Sequence, residues 1–138
     1  MQLEDEVWAT VRSIFQSFAA RSESGIENSL AENCTVWDVF EPEFISGRAE
    51  RDEFHRRDRA QSEARGALSW NLVPVKATLL GDVAIAAYYL DFEYQPPGAA
   101  EGRVRITDVL KRTGDGWQII HHHEGLSPQG PPPLDTKA

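Results

Sequence analysis

Apolar residues near the N-terminus recur at intervals of three and four, which predicts an amphipathic helix. They are Leu3, Val7, Trp8, Val11, Ile14, Phe15 and Phe18. A second, short helix is predicted to begin at Ser24, because the spacing from Ser24 to Glu27 matches a capping box, and to run to about Glu32. A third helix is predicted from about Ala49 to about Glu63. The first half of the chain is therefore expected to be mainly helical.

The apolar period shortens to two in the second half of the chain, which predicts strands at about 69–80, 83–95, 103–112 and 117–124. An earlier strand is predicted from Cys34 to Phe40, followed by a loop to Gly47. Pro74 predicts an edge position or a bulge, since proline cannot donate to a sheet. The order predicts an α+β fold whose helices lie on one face of an antiparallel sheet.

Composition narrows the class of protein. The chain has 138 residues, 41% of them hydrophobic, and a net charge of −8. It is predicted to form one domain over residues 1–127, with a proline-rich, disordered tail at 128–138. No coherent basic surface indicates nucleic acid, and no apolar run is long enough for a membrane helix. The lone Cys34 excludes a disulfide framework, and the N-terminus lacks a secretion signal, so a cytoplasmic protein is expected.

One acidic side chain interrupts an otherwise apolar strand face. The even positions of the strand at 103–112 are Val104, Ile106, Asp108 and Leu110, and they are predicted to face the helices. In the strand at 83–95 the alternate residues from Ala84 to Tyr94 form a second inward face, which includes Tyr88. Asp108 is therefore a candidate site residue with Tyr88 as a neighbouring donor.

The last hairpin predicts the neighbours of Asp108. A loop centred on Gly114-Asp115 pairs residues whose numbers sum to 229, which places Asp108 opposite His121 and Ile106 opposite His123. The same register brings Arg105 to Glu124 on the other face, an opposite-charge pair. A bulge would shift the register by one residue and separate Asp108 from His121.

Histidines in the chain also raise the question of a metal. Strand alternation predicts that His122 faces away from His121 and His123, so that only those two could join Asp108 around a metal ion. We favour no metal site. His55 lies in the run from Glu50 to Arg59, which carries both signs of charge in almost equal number, and is predicted to lie on a solvated helix surface.

Two segments resemble the SnoaL-like branch of the nuclear-transport-factor-2-like superfamily. One runs from Arg105 to His123 and includes Asp115-Gly116-Trp117; the other is LAENCTVWDVF followed by Gly47-Arg48-Ala49. The resemblance covers about residues 3–127. It implies a cystatin-like, ketosteroid-isomerase-like roll, in which helices pack on a strongly curved antiparallel sheet that forms a cone-shaped pocket. This superfamily includes isomerases, cyclases, dehydratases, epoxide hydrolases and non-catalytic association domains.

The resemblance implies roles for particular residues. Asp38 matches the general base of the ketosteroid isomerases, and Asp108 matches their second carboxylate, which donates to an enolate oxygen. The tyrosine of their first helix is absent here, where Ile14 or Phe15 stands, and Ile106 replaces an arginine that the epoxide hydrolases carry.

Two functions follow as expectations. The first is a pocket for an apolar carbonyl compound, with cofactor-independent proton transfer, isomerisation, cyclisation or elimination. Its candidate catalytic residues are Asp38, Asp108 and His121, and its candidate ligand-binding residues are Trp37, Phe15, Phe18, Tyr88 and His123. The second is a non-catalytic ligand-binding or association domain. In both, a homodimer is expected through the other sheet face, which carries Val83, Ile85, Ala87, Val109 and Ile120.

Overall fold

The computed structural model describes residues 2–62 and 64–130. The helices are α1 (Leu3–Ala19), α2 (Glu23–Asn28) and α3 (Gly47–Ser62). The strands are β1 (Leu30–Trp37), β2 (Ile45–Ser46), β3 (Leu68–Leu80), β4 (Val83–Tyr94), β5 (Ala100–Thr113) and β6 (Gly116–Leu126). The fold is α+β, as the sequence predicted. Of the tail predicted at 128–138, only residues 128–130 are described, and 131–138 lie outside the described residues.

Six strands form one open sheet in the order β2-β1-β6-β5-β4-β3. All neighbours are antiparallel except β1 and β6, which run parallel. This parallel pair departs from the antiparallel sheet that the sequence predicted. It arises because α3 and the β3–β4–β5 meander separate the two strands along the chain, so that β6 returns beside β1 in the same direction.

The inner face of the sheet carries the core. Val7, Val11 and Phe15 of α1 pack on the buried alternate residues of β4 and β5. These strand residues are Ala84, Ala86, Tyr88, Leu90, Val104, Ile106, Asp108 and Leu110. The predicted inward faces of both strands are therefore confirmed. No helix among the described residues is long and apolar enough to cross a membrane.

Two local features of β3, its turn into β4 and its proline, agree with the sequence. Gly81 adopts a φ of 66° in the β3–β4 turn, a conformation that favours glycine. β3 is an edge strand, and its register with β4 shifts between Pro74 and Lys76. Pro74 thus occupies both an edge and an irregularity, as its missing N–H requires.

The segment before β1 was predicted less well. Ser22, and not Ser24, caps α2 by accepting from the backbone N–H of Gly25 at 3.1 Å. The helix ends at Asn28, and β1 ends at Trp37. Asp38, which was predicted to lie within the strand, therefore follows it.

Candidate functional site

A cavity of about 530 Å³ lies between the helices and the inner face of the sheet. Its apolar wall includes Phe15 and Phe18 of α1, Phe54 of α3, and Leu90 and Phe92 of β4. A cavity of this size and character is typical of small-molecule sites. Its polar lining determines what such a molecule could undergo.

A bulge in β6 decides which histidine faces this cavity. Leu110 pairs with Ile119 as predicted, but Val109 pairs with His121, so Ile120 is an extra residue in β6. The predicted pairing of Asp108 with His121 is therefore wrong, and Asp108 lies opposite His122.

The same shift changes the rest of the hairpin. Ile106 lies opposite Glu124 and not His123, and Arg105 lies opposite Gly125 and not Glu124. A one-residue bulge reverses the facing of every side chain beyond it. His122 and Glu124 consequently point to the inner face, and both line the cavity.

Four side chains form a continuous hydrogen-bonded chain at the inner face. The Tyr88 hydroxyl donates to Oδ2 of Asp108 at 2.6 Å, and His122 Nδ1 is hydrogen-bonded to the other carboxylate oxygen, Oδ1. On its other side, His122 Nε2 lies 2.8 Å from Oε2 of Glu124. The imidazole is therefore held between two carboxyl groups, one buried and one at the cavity.

The two carboxylates hold this imidazole in its charged form. Burial alone would lower the pKa of His122, but Asp108 and Glu124 together raise the pKa well above its usual value. Burial likewise raises the pKa of Glu124, but the hydrogen bond and charge of His122 outweigh burial and lower it. Both N–H groups of a protonated His122 then donate to carboxylates.

Asp38 completes the polar wall. It lines the cavity beside Glu124, and its Oδ2 accepts from the backbone N–H of Phe40 at 2.9 Å. The backbone N–H of the intervening Val39 donates to Oε1 of Glu124 at 3.1 Å. Burial, followed by the negative charge of Glu124, raises the pKa of Asp38 to about 7. A carboxyl group with this pKa can both release and accept a proton near neutral pH.

The structure separates the predicted site residues into three groups. Asp38, Phe15 and Phe18 line the cavity. Asp108 and Tyr88 are almost fully buried behind His122 and are not among the lining residues. Asp108 and Tyr88 can therefore orient His122 but cannot touch a ligand in the cavity.

The third group lies on the opposite face of the sheet, away from the cavity. His121 Nδ1 is 2.7 Å from the Thr35 hydroxyl, and the ring of Trp37 packs against Phe44 and His123 at 4.7 Å and 6.5 Å between centroids. The predicted placement of His121, His123 and Trp37 in the pocket is wrong. The bulge at Ile120 turns both histidines outward, and Trp37 of β1, which pairs with His123, lies on the same outer face.

The sequence contained a signal for the correct histidine. Ile119 and Ile120 are adjacent apolar residues, and in a strictly alternating strand one of them would face outward. A bulge at this point places His122 and Glu124 on the same face as Asp108, so that the histidine stands between the two acids. The predicted register favoured Arg105 and Glu124 as a pair and so missed both residues.

A second polar cluster was also missed. Arg51 and His55 of α3 line the cavity and are only 3% and 9% exposed, and both contact Glu27 of α2. The prediction of a solvated surface for His55 is therefore wrong. The mixture of charges along α3 suggested a solvated helix. Arg51 and His55 can nevertheless be buried, because the Glu27 carboxylate is their partner.

The residues proposed for a metal ion do not assemble. His121 and His123 lie on the opposite sheet face from Asp108. Within residues 2–62 and 64–130, no three His, Cys, Asp or Glu side chains are grouped so that they could hold a metal ion.

Comparison with known families supports the sequence resemblance. The sequence model of the SnoaL-like domain matches residues 7–127. No protein of curated function matches the chain in sequence.

Several solved structures share the fold. An NTF2-like protein of unknown function from Pseudomonas putida is 20% identical with a TM-score of 0.75, over 97% of this chain and 89% of that one. A candidate ketosteroid isomerase from Shewanella frigidimarina is 20% identical with a TM-score of 0.69, over 89% and 97%. The CaMKII hub homology domain of Chlamydomonas reinhardtii is 18% identical with a TM-score of 0.74, over 92% and 100%. At these identities the similarity shows the fold alone.

Proposed function

Because this chain belongs to the SnoaL-like domain family, we propose that its cavity binds an apolar compound with a carbonyl group and transfers a proton on that compound. The observation that carries the proposal is the polar cluster of Asp38, Glu124 and His122, which lines a cavity whose opposite wall includes the apolar side chains of α1. No cofactor is required for this chemistry.

Asp38 is the proposed base. In its ionised form it accepts a proton from the carbon beside the carbonyl group, and it returns that proton to the same carbon, or to another one in an isomerisation. The pKa of Asp38, raised to about 7 by burial and by Glu124, makes it a stronger base than an ordinary aspartate. It still leaves about half of the molecules ionised at neutral pH.

His122 is the proposed electrostatic partner. It lines the cavity, and its two hydrogen bonds to Asp108 and Glu124 keep it positively charged. Both of its N–H groups are taken up by these carboxylates, so it acts on Asp38 and not directly on the ligand: it keeps Glu124 ionised, and the negative charge of Glu124 in turn raises the pKa of Asp38. Asp108 and Tyr88 act through His122 as positioning residues, a change from the direct contact with oxygen that the sequence suggested.

Hydrogen exchange on 1-tetralone, a small apolar ketone, tests this proposal. In D₂O the protein should speed the loss of the proton signal at C2 above the buffer rate, with activity rising through about pH 7 as Asp38 ionises. Asp38→Asn should reduce the protein-dependent rate about 10²-fold or more, whereas His121→Ala, on the other sheet face, should leave it unchanged. Exchange at the buffer rate with wild-type protein, or an active Asp38→Asn variant, would contradict the proposal.

A second function, association between copies of the chain, rests on the outer face of the sheet. Ile85 pairs with Val109, and Val109 pairs with His121, so these side chains share the face with Trp37. Trp37, Phe44 and Ile85 are 41%, 40% and 36% exposed. Such apolar exposure is typical of an interface, and a second copy of the same face would cover it symmetrically. We propose a homodimer through this face, compatible with a functional cavity on the other.

A further inference from the structure

The helix wall of the cavity contains several basic side chains, and the most buried of them, Arg51, has no hydrogen-bond donor left for a ligand. Arg51 Nε donates to the Glu27 carboxylate at 3.1 Å, and Nη2 donates to Glu27 at 2.9 Å and to the carbonyl of Ala31 at 3.1 Å. Nη1 donates to the carbonyls of Glu32 and Cys34 at 3.2 and 3.0 Å. All five guanidinium N–H groups are thus satisfied. Arg51 therefore serves to join α3 to α2 and β1.

His55, one helical turn after Arg51, has a ring nitrogen that remains available. Its Nε2 lies 3.1 Å from Oε2 of Glu27. Burial alone would raise the pKa of Glu27, but hydrogen bonds from His55 and Arg51 lower it to about 2, so Glu27 is a carboxylate that only accepts. Nε2 must then carry the hydrogen, and in a neutral imidazole Nδ1 is an acceptor.

Nδ1 of His55 has no partner among the described residues, and His55 lines the cavity. In the described part of the chain, the buried side-chain nitrogen and oxygen atoms without a partner are Glu6 Oε2 and Trp117 Nε1. Nδ1 is not one of them, so it keeps some accessible surface and can take a hydrogen bond from a ligand.

We propose that Nδ1 of His55 accepts a hydrogen bond from a hydroxyl group of the ligand, so that the substrate is a hydroxylated carbonyl compound. The inference rests on the proposed function, because it assumes a ligand whose carbonyl group meets Asp38 on the sheet wall. A ligand without a hydroxyl group leaves Nδ1 unpaired when it displaces water, and sites built for a hydroxyl discriminate strongly against analogues that lack one.

Affinity for matched ligands tests the proposal. Dissociation constants for 1-tetralone and for its 5-, 6- and 7-hydroxy isomers are measured by ligand-observed NMR. At least one hydroxy isomer should bind about tenfold more tightly than 1-tetralone to the wild-type protein, as one additional hydrogen bond predicts. His55→Phe should abolish this preference, whereas His121→Phe should retain it.

A spectroscopic measurement on the wild-type protein guards against a variant that fails to fold. With ¹⁵N-labelled histidine, the His55 ring should show the Nε2–H tautomer, and the favoured hydroxy isomer, but not 1-tetralone, should shift its Nδ1 resonance. Equal binding of all four compounds, a preference that survives His55→Phe, or an unshifted Nδ1 would overturn the inference while the proposed function stands. Binding of none of them would contradict the proposed function, and this inference with it.

Discussion

His122 and Glu124, two residues apart in β6, are joined through Nε2 and Oε2 at 2.8 Å, while the other ring nitrogen of His122 is joined to Asp108. The histidine thus connects a carboxylate that is sealed in the core to one that lines the cavity. The Asp108–His122 contact depends on the bulge at Ile120, so measuring it tests the register of β6.

Asp108 and His122 should be energetically coupled. Asp108→Ala leaves the buried imidazole and the Tyr88 hydroxyl without their acceptor, and should lower the free energy of unfolding by about 1–3 kcal/mol. His122→Ala should cost a similar amount, and the double variant should cost less than the sum by about 0.5–3 kcal/mol. Urea denaturation provides these values.

The neighbouring histidine is the matched control for this cycle. His121→Ala removes an imidazole from the same strand but from the other face, so its cost should add to that of Asp108→Ala. Coupling of Asp108 to His121 instead of His122 would mean that β6 has no bulge at Ile120.

Asp38→Asn should stabilise the protein at neutral pH. The pKa of Asp38 is about 7 in the folded protein against an ordinary 3.8, so the folded state binds more protons between these values. The free energy of unfolding contributed by Asp38 therefore falls as pH rises from about 4 to about 7. Asparagine cannot ionise, and its amide can donate to Glu124 as the protonated acid does.

The stability that Asp38→Asn gains over the wild-type protein should increase as pH rises. Denaturation at pH 4 should give similar stabilities, and the variant should gain roughly 1–3 kcal/mol by pH 8. A constant difference between the two proteins across this range would show that Asp38 titrates normally.

Glu27→Gln should destabilise the fold at neutral pH and should matter less in acid. The pKa of Glu27 is lowered to about 2 from an ordinary 4.5, so its contribution is complete above about pH 4.5 and is lost as pH falls towards 2. Loss of the charge leaves Arg51 buried without its ionic partner, at a cost of about 3–5 kcal/mol at pH 7. Thermal or chemical unfolding at pH 7 and pH 3 should show this cost shrinking with acidity.

An exposed glutamate of α3 provides the control. Glu53 pairs with Arg56 on the solvent side, and Glu53→Gln should leave stability nearly unchanged at both pH values. An equal effect of both substitutions would contradict the buried role of Glu27.

The proposed homodimer should dissociate when charge is placed on the outer face. Wild-type protein at micromolar concentration should sediment at about twice the chain mass, and Ile85→Asp or Val109→Asp should yield monomers because each would bury an unpaired charge. Leu126→Asp should not, although Leu126 is 62% exposed, because it pairs with the inward-facing Val104 and so lies on the other face. A wild-type monomer at all concentrations would exclude this interface.

The sequence by itself determined the class of fold and most of its elements. Apolar spacing in α1, alternation in β4 and β5, and the Gly81 turn are local properties, and each appears in the structure where it was predicted. The single acid on the inner face of β5, Asp108, was also identified, because a carboxylate among apolar alternate residues is visible without knowing its neighbours.

Tertiary structure alone decided which histidines face the cavity. The bulge at Ile120 depends on how β6 hydrogen-bonds to β5 and to β1, a non-local choice that left His122 inside and His121 outside. Similarly, the charged run of α3 has the pattern of a solvated surface until Glu27, distant in sequence, buries Arg51 and His55. Strand register and partner identity are set by contacts between distant segments, and a one-residue difference in such contacts reverses which side chains form the site.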